Sequence, residues 1–169
     1  MLETLFGTAM EAPQAWHQGP ARLVLAVLLG ATAGFEREST GHFAGLRTHA
    51  LVALGAAGFA LISCELFEHL LKTAPATAGQ ATRIVSAIVG GVGFLGAGAI
   101  IHAGTKVKGL TTAAGMWAIA ASGTAAGLGL FAVAVTIALV CVGVLLASML
   151  DREAQEVDRA EDNSPPDEK

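Results

Sequence analysis

A run of 42 residues without a charged side chain, from Gly109 to Leu150, constrains this sequence more than any other feature. As one continuous α-helix the run would be about 63 Å long, twice the roughly 30 Å hydrocarbon core of a bilayer. The stretch Gly127-Leu128-Gly129 offers a break, because glycine favours tight turns. We therefore predict two membrane spans, at residues 110–126 and 130–150.

Three further uncharged runs, at residues 23–35, 50–64 and 84–101, predict three more spans. Only 14% of the chain is charged, and 11 of its 24 charges lie in the last 19 residues. A soluble protein of this size would need more charge to cover its surface. The sequence thus predicts an all-α, polytopic integral membrane protein with about five transmembrane helices and glycine-rich packing.

The distribution of charge also predicts three regions and an orientation. Residues 1–20 form an N-terminal external segment, 21–150 the membrane domain, and 151–169 a charged cytoplasmic tail that extends the last helix briefly and then becomes disordered. With five spans, seven Lys and Arg residues fall on the side of the C-terminus and three on the other side. Because basic residues favour the cytoplasm, we expect a cytoplasmic C-terminus.

Several classes of chemistry find no support in the residues. The chain has no His-Glu-x-x-His or Gly-x-Ser-x-Gly motif and no acidic residue between Glu68 and Asp151, so we expect neither an enzyme nor a cofactor. It also has no basic face for a nucleic acid. Two pairs of glutamates fall on opposite predicted sides of the membrane and cannot form one carboxylate cage, and no metal site is assigned.

Glycine is abundant inside the predicted spans, which indicates close helix packing. Gly30 and Gly34, like Gly123 and Gly127, have the four-residue spacing that lets helix backbones approach each other in lipid. Packing within the chain is the favoured interpretation, and an interface with a second copy or another protein is the alternative.

Charged residues lie directly at the ends of the first two spans. A charge at membrane depth costs free energy unless it is paired or lines a polar cavity. Because residues 36–38 and Arg47 lie on the same predicted side, we predict an ion pair between Arg47 and Glu36 or Glu38. Ordinary snorkelling of these side chains to the interface is the alternative.

Several motifs occur in the order found in a known family: GFERE at 34–38, AGLRTHALV at 44–52, GFLGAGAII at 93–101, and GLTTAA at 109–114 followed by Trp117. The chain resembles the membrane domain of the MgtC/SapB family over residues 20–150. The resemblance implies a bacterial inner-membrane protein linked to growth in low magnesium and to virulence, which modulates other membrane proteins. The soluble C-terminal domain of the founding members has no counterpart here, and Gln80-Ala81 stands where family members commonly have Asp-Pro.

We therefore expect a regulatory or adaptor protein whose partners are membrane lipids, other membrane proteins and a possible second copy. A small magnesium-linked ion transporter or channel is the alternative. The third and fourth spans are predicted to form the functional centre. The candidate functional residues are the charged, hydroxyl and glycine positions of the motifs and span ends: Glu36, Arg37, Glu38, Arg47, Thr48, Arg83, Gly93, Gly96, Gly98, Gly109, Thr111 and Thr112.

Overall fold

The computed structural model describes residues 18–103 and 106–162, and the side chains of residues 18–100 and 107–147. Its helices are α1 (Gln18–Ser39), α2 (Leu46–Thr73), a 3-10 helix (Pro75–Thr82), α3 (Arg83–Ala99), α4 (Leu110–Gly127) and α5 (Phe131–Asp162). Two short strands, β1 (Ile101–Ala103) and β2 (Lys106–Lys108), lie between α3 and α4. The predicted all-α membrane fold is confirmed.

The two predicted terminal regions are described only in part. Residues 1–17 of the predicted external segment and 163–169 of the predicted tail lie outside the described residues. The tail was expected to become disordered after a short helical extension, and α5 continues as a helix to Asp162.

Within the part of the chain that the structure describes, three helical segments are long and apolar enough to cross a membrane: Gln18–Ser39, Leu46–Thr73 and Pro75–Ala99. Phe131–Ala147 is a shorter apolar segment. Large apolar side chains point outward from the bundle, as expected where lipid rather than water surrounds the helices. Examples are Val24, Leu28, Leu51, Phe59, Leu139 and Val144.

The third of these segments begins at Pro75 instead of the predicted residue 84. The chain reverses at Ala74 and returns beside α2 as the 3-10 helix, which continues directly into α3. Ser63 Oγ on α2 donates a 2.7 Å hydrogen bond to the Ala81 carbonyl and ties the two segments together. Proline suits the first position of a helix because the N–H that it lacks would have no partner there.

α2 is the central helix, and small residues hold it against α1 and α4. A Cβ built on Gly30 would lie 2.6 Å from the His49 carbonyl oxygen, and one on Gly34 would lie 2.5 Å from Leu46 Cα. On the other side, a Cβ on Gly123 or Gly127 would overlap the α2 backbone at Ala53 or Ala57. The predicted packing of both glycine pairs within the chain is thus confirmed.

The connections before and after α4 each contain a glycine with a positive φ angle. Gly129 has a φ of +81° in the α4–α5 turn, which confirms the predicted break at 127–129. Gly109 has a φ of +90° directly before α4, and a Cβ there would overlap the Ala99 carbonyl. Before Gly109, the structure pairs Ile101–Ala103 with Lys106–Lys108 as two antiparallel strands, which the sequence analysis did not predict.

Candidate functional site

Glu36 and Arg37 form a buried ion pair at the end of α1. Arg37 Nε donates to Glu36 Oε2 over 2.6 Å, and Arg37 Nη2 donates to Glu36 Oε1 over 3.0 Å. Only 6% of Glu36 and 1% of Arg37 is exposed. Arg37 Nη1 also lies 3.3 Å from His42 Nε2, and Thr40 Oγ1 lies 2.7 Å from His42 Nδ1. The two charges therefore satisfy each other inside the bundle, where a lone charge would be costly.

The predicted pairing of Arg47 with Glu36 or Glu38 is wrong. Glu36 forms its ion pair with Arg37. Glu38 Oε2 accepts a 2.9 Å hydrogen bond from the Leu46 backbone N–H at the start of α2. A carboxylate is favourable at that position because the first N–H groups of a helix carry partial positive charge. Arg47 is exposed, and neither glutamate pairs with it among the side chains that the structure describes.

His49 is a buried residue that the sequence analysis did not select. It has no exposed surface, and its Nδ1 donates to the Gly45 carbonyl over 3.0 Å. Its Nε2 has no hydrogen-bond partner in the described part of the chain and points toward Gly115 of α4. The available sequence signal was spacing, because His49, Ala53 and Ala57 repeat every four residues along one face of α2.

Arg22 is a second buried residue that sequence reasoning did not select. It is 5% exposed, its Nη1 donates to the Gly127 carbonyl over 3.1 Å, and its guanidinium lies 5.8 Å from the centre of the Phe131 ring. A cation is favourable at the C-terminal end of α4, where carbonyl groups lack helical partners. This contact joins residues 105 positions apart, so no local pattern indicated it.

The predicted glycine centre of α3 has one packed position and several open ones. A Cβ on Gly96 would lie 3.5 Å from Ala113 Cβ of α4, which is ordinary contact. A Cβ on Gly90, Gly93 or Gly98 would meet nothing within 4 Å. The structure thus brings Gly96 and Gly109 to the α3–α4 contact and leaves Gly93 and Gly98 facing outward.

The remaining predicted residues are separated from one another. Thr112 is buried in the first turn of α4, whereas Thr111 is exposed. Arg83 is exposed, and its Nη1 donates to Gln80 Oε1 over 3.1 Å. Thr48 is half-buried beside Arg47 at one end of a groove.

This groove, of about 890 Å³, lies between α2 and α3. One face of α2 between Arg47 and Ile62 and one face of α3 between Ile84 and Leu95 form its walls, and Met116 of α4 contributes to the lining. Its lining is apolar except at the Arg47 end. The volume falls in the range of about 300–1,000 Å³ that is usual for ligand sites.

Comparison with known proteins supports the resemblance to the MgtC/SapB family. The family model for the MgtC family matches residues 23–152. Protein MgtC of Salmonella typhimurium is 46% identical over 132 residues, which cover 77% of this chain and 53% of that protein. Protein MgtC of Brucella abortus is 41% identical over 132 residues, covering 77% and 52%.

An uncharacterized protein of Synechocystis is 47% identical over 120 residues, covering 71% of this chain and 47% of the relative. No solved structure matches the chain. The chain spans about half the length of these relatives. On the family match and these identities, this membrane protein belongs to the MgtC family.

Proposed function

We propose that this chain is a non-catalytic regulatory or adaptor protein of the bacterial inner membrane, which binds other membrane proteins through the outward face of α3. The observation that carries the proposal is the contrast between two groups of glycines. Gly30, Gly34, Gly123 and Gly127 allow close packing within the chain, whereas Gly90, Gly93 and Gly98 have no such contact. Small residues facing lipid allow the backbone of another helix to approach closely.

Family membership supports the biological setting of this proposal. The MgtC family is linked to magnesium adaptation and virulence. We therefore place the adaptor in growth under low magnesium or inside a host, with membrane proteins, lipids and a second copy of the chain as its candidate partners. The proposal concerns the membrane domain, since the relatives are about twice as long.

Site-specific photocross-linking in native membranes tests the outward face of α3. A photoreactive side chain replaces Gly93 in one variant and Gly143 in another, because both positions are helical and open. We expect the probe at Gly93 to give discrete adducts with membrane proteins or a second copy, and the α5 probe to give only lipid adducts. Identical adduct patterns at the two positions would refute the proposed face.

Growth in low magnesium provides the functional readout for the same positions. Gly93→Leu should remove the growth advantage conferred by the chain while leaving its amount in the membrane unchanged, and Gly143→Leu should preserve both. Equal growth of the two variants would show that the outward face of α3 is not needed for the function.

A small ion transporter remains the second candidate, and the buried polar groups favour it. The Glu36–Arg37 pair lies inside the helix bundle, and so does the Nε2 of His49, which has no hydrogen-bond partner among the described residues. Ionisable residues in such positions often mark an ion path. Purified chain in liposomes distinguishes the two candidates. The adaptor proposal expects no magnesium-dependent ion flux above that of empty liposomes, and reproducible flux that is lost in Glu36→Gln would favour the transporter.

A further inference from the structure

The groove between α2 and α3 has a cation at one end and apolar walls along the rest of its length. Arg47 and Thr48 lie at the start of α2, and the lining beyond them consists of aliphatic, aromatic and glycine residues as far as Ile62. No carboxylate occurs among its lining residues, all of which the structure describes. Glu38, the acidic residue nearest Arg47 in sequence, accepts a hydrogen bond from the Leu46 N–H and is not part of the lining.

We infer that this groove binds one acyl chain of an anionic phospholipid, with the lipid phosphate held by Arg47 and Thr48. The positive charge of Arg47, at one end of the groove, complements the negative charge of a phosphate. The hydroxyl of Thr48 can donate a hydrogen bond to a phosphate oxygen. Arg47 is exposed and makes no ion pair within the described part of the chain, so its guanidinium is available to a ligand.

The length of the groove suits a lipid tail. From Arg47 to Ile62 the α2 wall rises about 22 Å at 1.5 Å per residue. One leaflet contributes roughly half of the 30 Å hydrocarbon core. An acyl chain that starts at the level of Arg47 therefore has room to lie along α2 to the middle of the bilayer and beyond.

Two glycines keep the groove open. Gly55 of α2 and Gly91 of α3 both line it, and a Cβ on either would meet nothing within 4 Å. Because a side chain at either position starts in open space, a leucine there should fill part of the groove. These glycines therefore provide variants that block the site while leaving the packed interfaces intact.

Selectivity should depend on the headgroup more than on the tail. An acyl chain that moves from bulk lipid into the groove exchanges one apolar environment for another, so burial alone gives little preference. The charge-assisted contact with Arg47 distinguishes an anionic from a zwitterionic lipid. The expected loss on removing that contact is about tenfold in retention.

Native mass spectrometry of the full chain, released from nanodiscs containing equal amounts of phosphatidylglycerol and phosphatidylcholine, tests the inference. We expect one phosphatidylglycerol retained per chain, with about tenfold lower retention in Arg47→Ala and partial recovery in Arg47→Lys. Arg83→Ala is the matched control, because Arg83 is also exposed but does not line the groove. It should retain the lipid.

A second experiment fills the groove with a large side chain and compares two glycines of α3. Gly91→Leu should abolish retention, whereas Gly93→Leu, open but outside the lining, should not. Gly55→Leu provides an independent block on α2 if Gly91→Leu does not fold. Equal retention of both lipids, unchanged retention in folded Gly91→Leu or Gly55→Leu, or equal losses in Arg47→Ala and Arg83→Ala would overturn the inference.

A photoreactive side chain at Gly55 tests the occupant directly in native membranes. Adducts with anionic phospholipid support the inference, and adducts with a protein helix at this position overturn it. The result is independent of the adaptor proposal, because that proposal depends on the probe at Gly93.

Discussion

The Glu36–Arg37 pair shows how adjacent residues can neutralise each other inside a membrane bundle. Side chains at consecutive helical positions diverge, so such pairs are unusual. Arg37 is long enough to return to the Glu36 carboxylate, and both contacts are short. Because each residue is buried, the pair matters less for the energy that it adds than for the cost that would follow from removing one member.

We predict that Arg37→Ala lowers the free energy of unfolding by about 3–5 kcal/mol, because it leaves the Glu36 carboxylate buried and unpaired. The double variant Glu36→Gln/Arg37→Met should be less destabilised than Arg37→Ala, since it leaves no lone charge. Equilibrium unfolding in detergent, followed by circular dichroism, measures both.

Arg47→Ala is the control for this measurement. Arg47 is exposed and pairs with neither glutamate, so its removal should leave the unfolding free energy within about 0.5 kcal/mol of the parent. Equal destabilisation by Arg37→Ala and Arg47→Ala would contradict the buried pair.

At the scale of the elements, α2 is held by glycines from two neighbouring helices. The Gly30–Gly34 spacing of α1 and the Gly123–Gly127 spacing of α4 place bare backbone against the α2 backbone. In lipid such close contacts contribute van der Waals and weak hydrogen-bond energy where the hydrophobic effect gives none. A larger residue at one of these glycines should push two helices apart along the contact, because the backbones can no longer approach as closely.

Gly123→Ala should therefore destabilise the chain by about 1–3 kcal/mol, the usual cost of forcing extra atoms into a packed contact. The new Cβ would overlap the Ala53 carbonyl, which belongs to the helix backbone and cannot rotate away. Thermal unfolding in detergent measures the change. Gly143→Ala on α5, where the Cβ meets open space, should be neutral or slightly stabilising. A loss in Gly143→Ala as large as that in Gly123→Ala would indicate a general effect of alanine.

The sequence predicted the elements better than it predicted their contacts. The span at 110–126 agrees with α4 to one residue because glycines mark its end, whereas α2 continues past the predicted end at 64 through Glu65 and Glu68. A charge ends an apolar run without ending a helix. The 3-10 helix Pro75–Thr82 was not predicted, because its small and polar residues show no helical periodicity.

The candidate site was predicted only where the local sequence determines geometry. Membrane position placed Glu36 and Arg47 on the same side, but it does not determine which way each side chain faces around its helix axis. The rotation of α1 directs Glu36 into the bundle, while Arg47 remains outside. The burial of Arg22 depends on a turn 105 residues away, which no local pattern can indicate.

At the scale of the whole molecule, the helices arrange two different surfaces around one core. The inner surfaces of α1, α2 and α4 consist largely of alanine and glycine, and the outer surface carries large apolar side chains. α3 carries more open glycines than the other described helices, and Phe94 on the same helix is 81% exposed. The position probed for partner binding, Gly93, and one wall of the proposed lipid groove therefore lie on the same helix but on different faces.

The arrangement of the five α-helices in the described residues, with their short connections, leads to a prediction of topology. If each helix crosses once, the connections after α1 and α3 lie on one side, and those after α2 and α4 lie on the other. The first side carries Arg37, Arg47, Lys106, Lys108 and the three basic residues of the tail. The other side carries Arg22, Lys72 and Arg83, so the count favours the cytoplasm for the first side. We expect green fluorescent protein to be fluorescent when inserted after Gly41 or fused after Lys169, and alkaline phosphatase to be active when inserted after Ala74 or Leu128.

The reciprocal insertions serve as controls and should be inactive, because each reporter works on only one side of the membrane. An active phosphatase after Lys169 would reverse the orientation, and reporters at Ala74 and Gly41 on the same side would show that α2 does not cross.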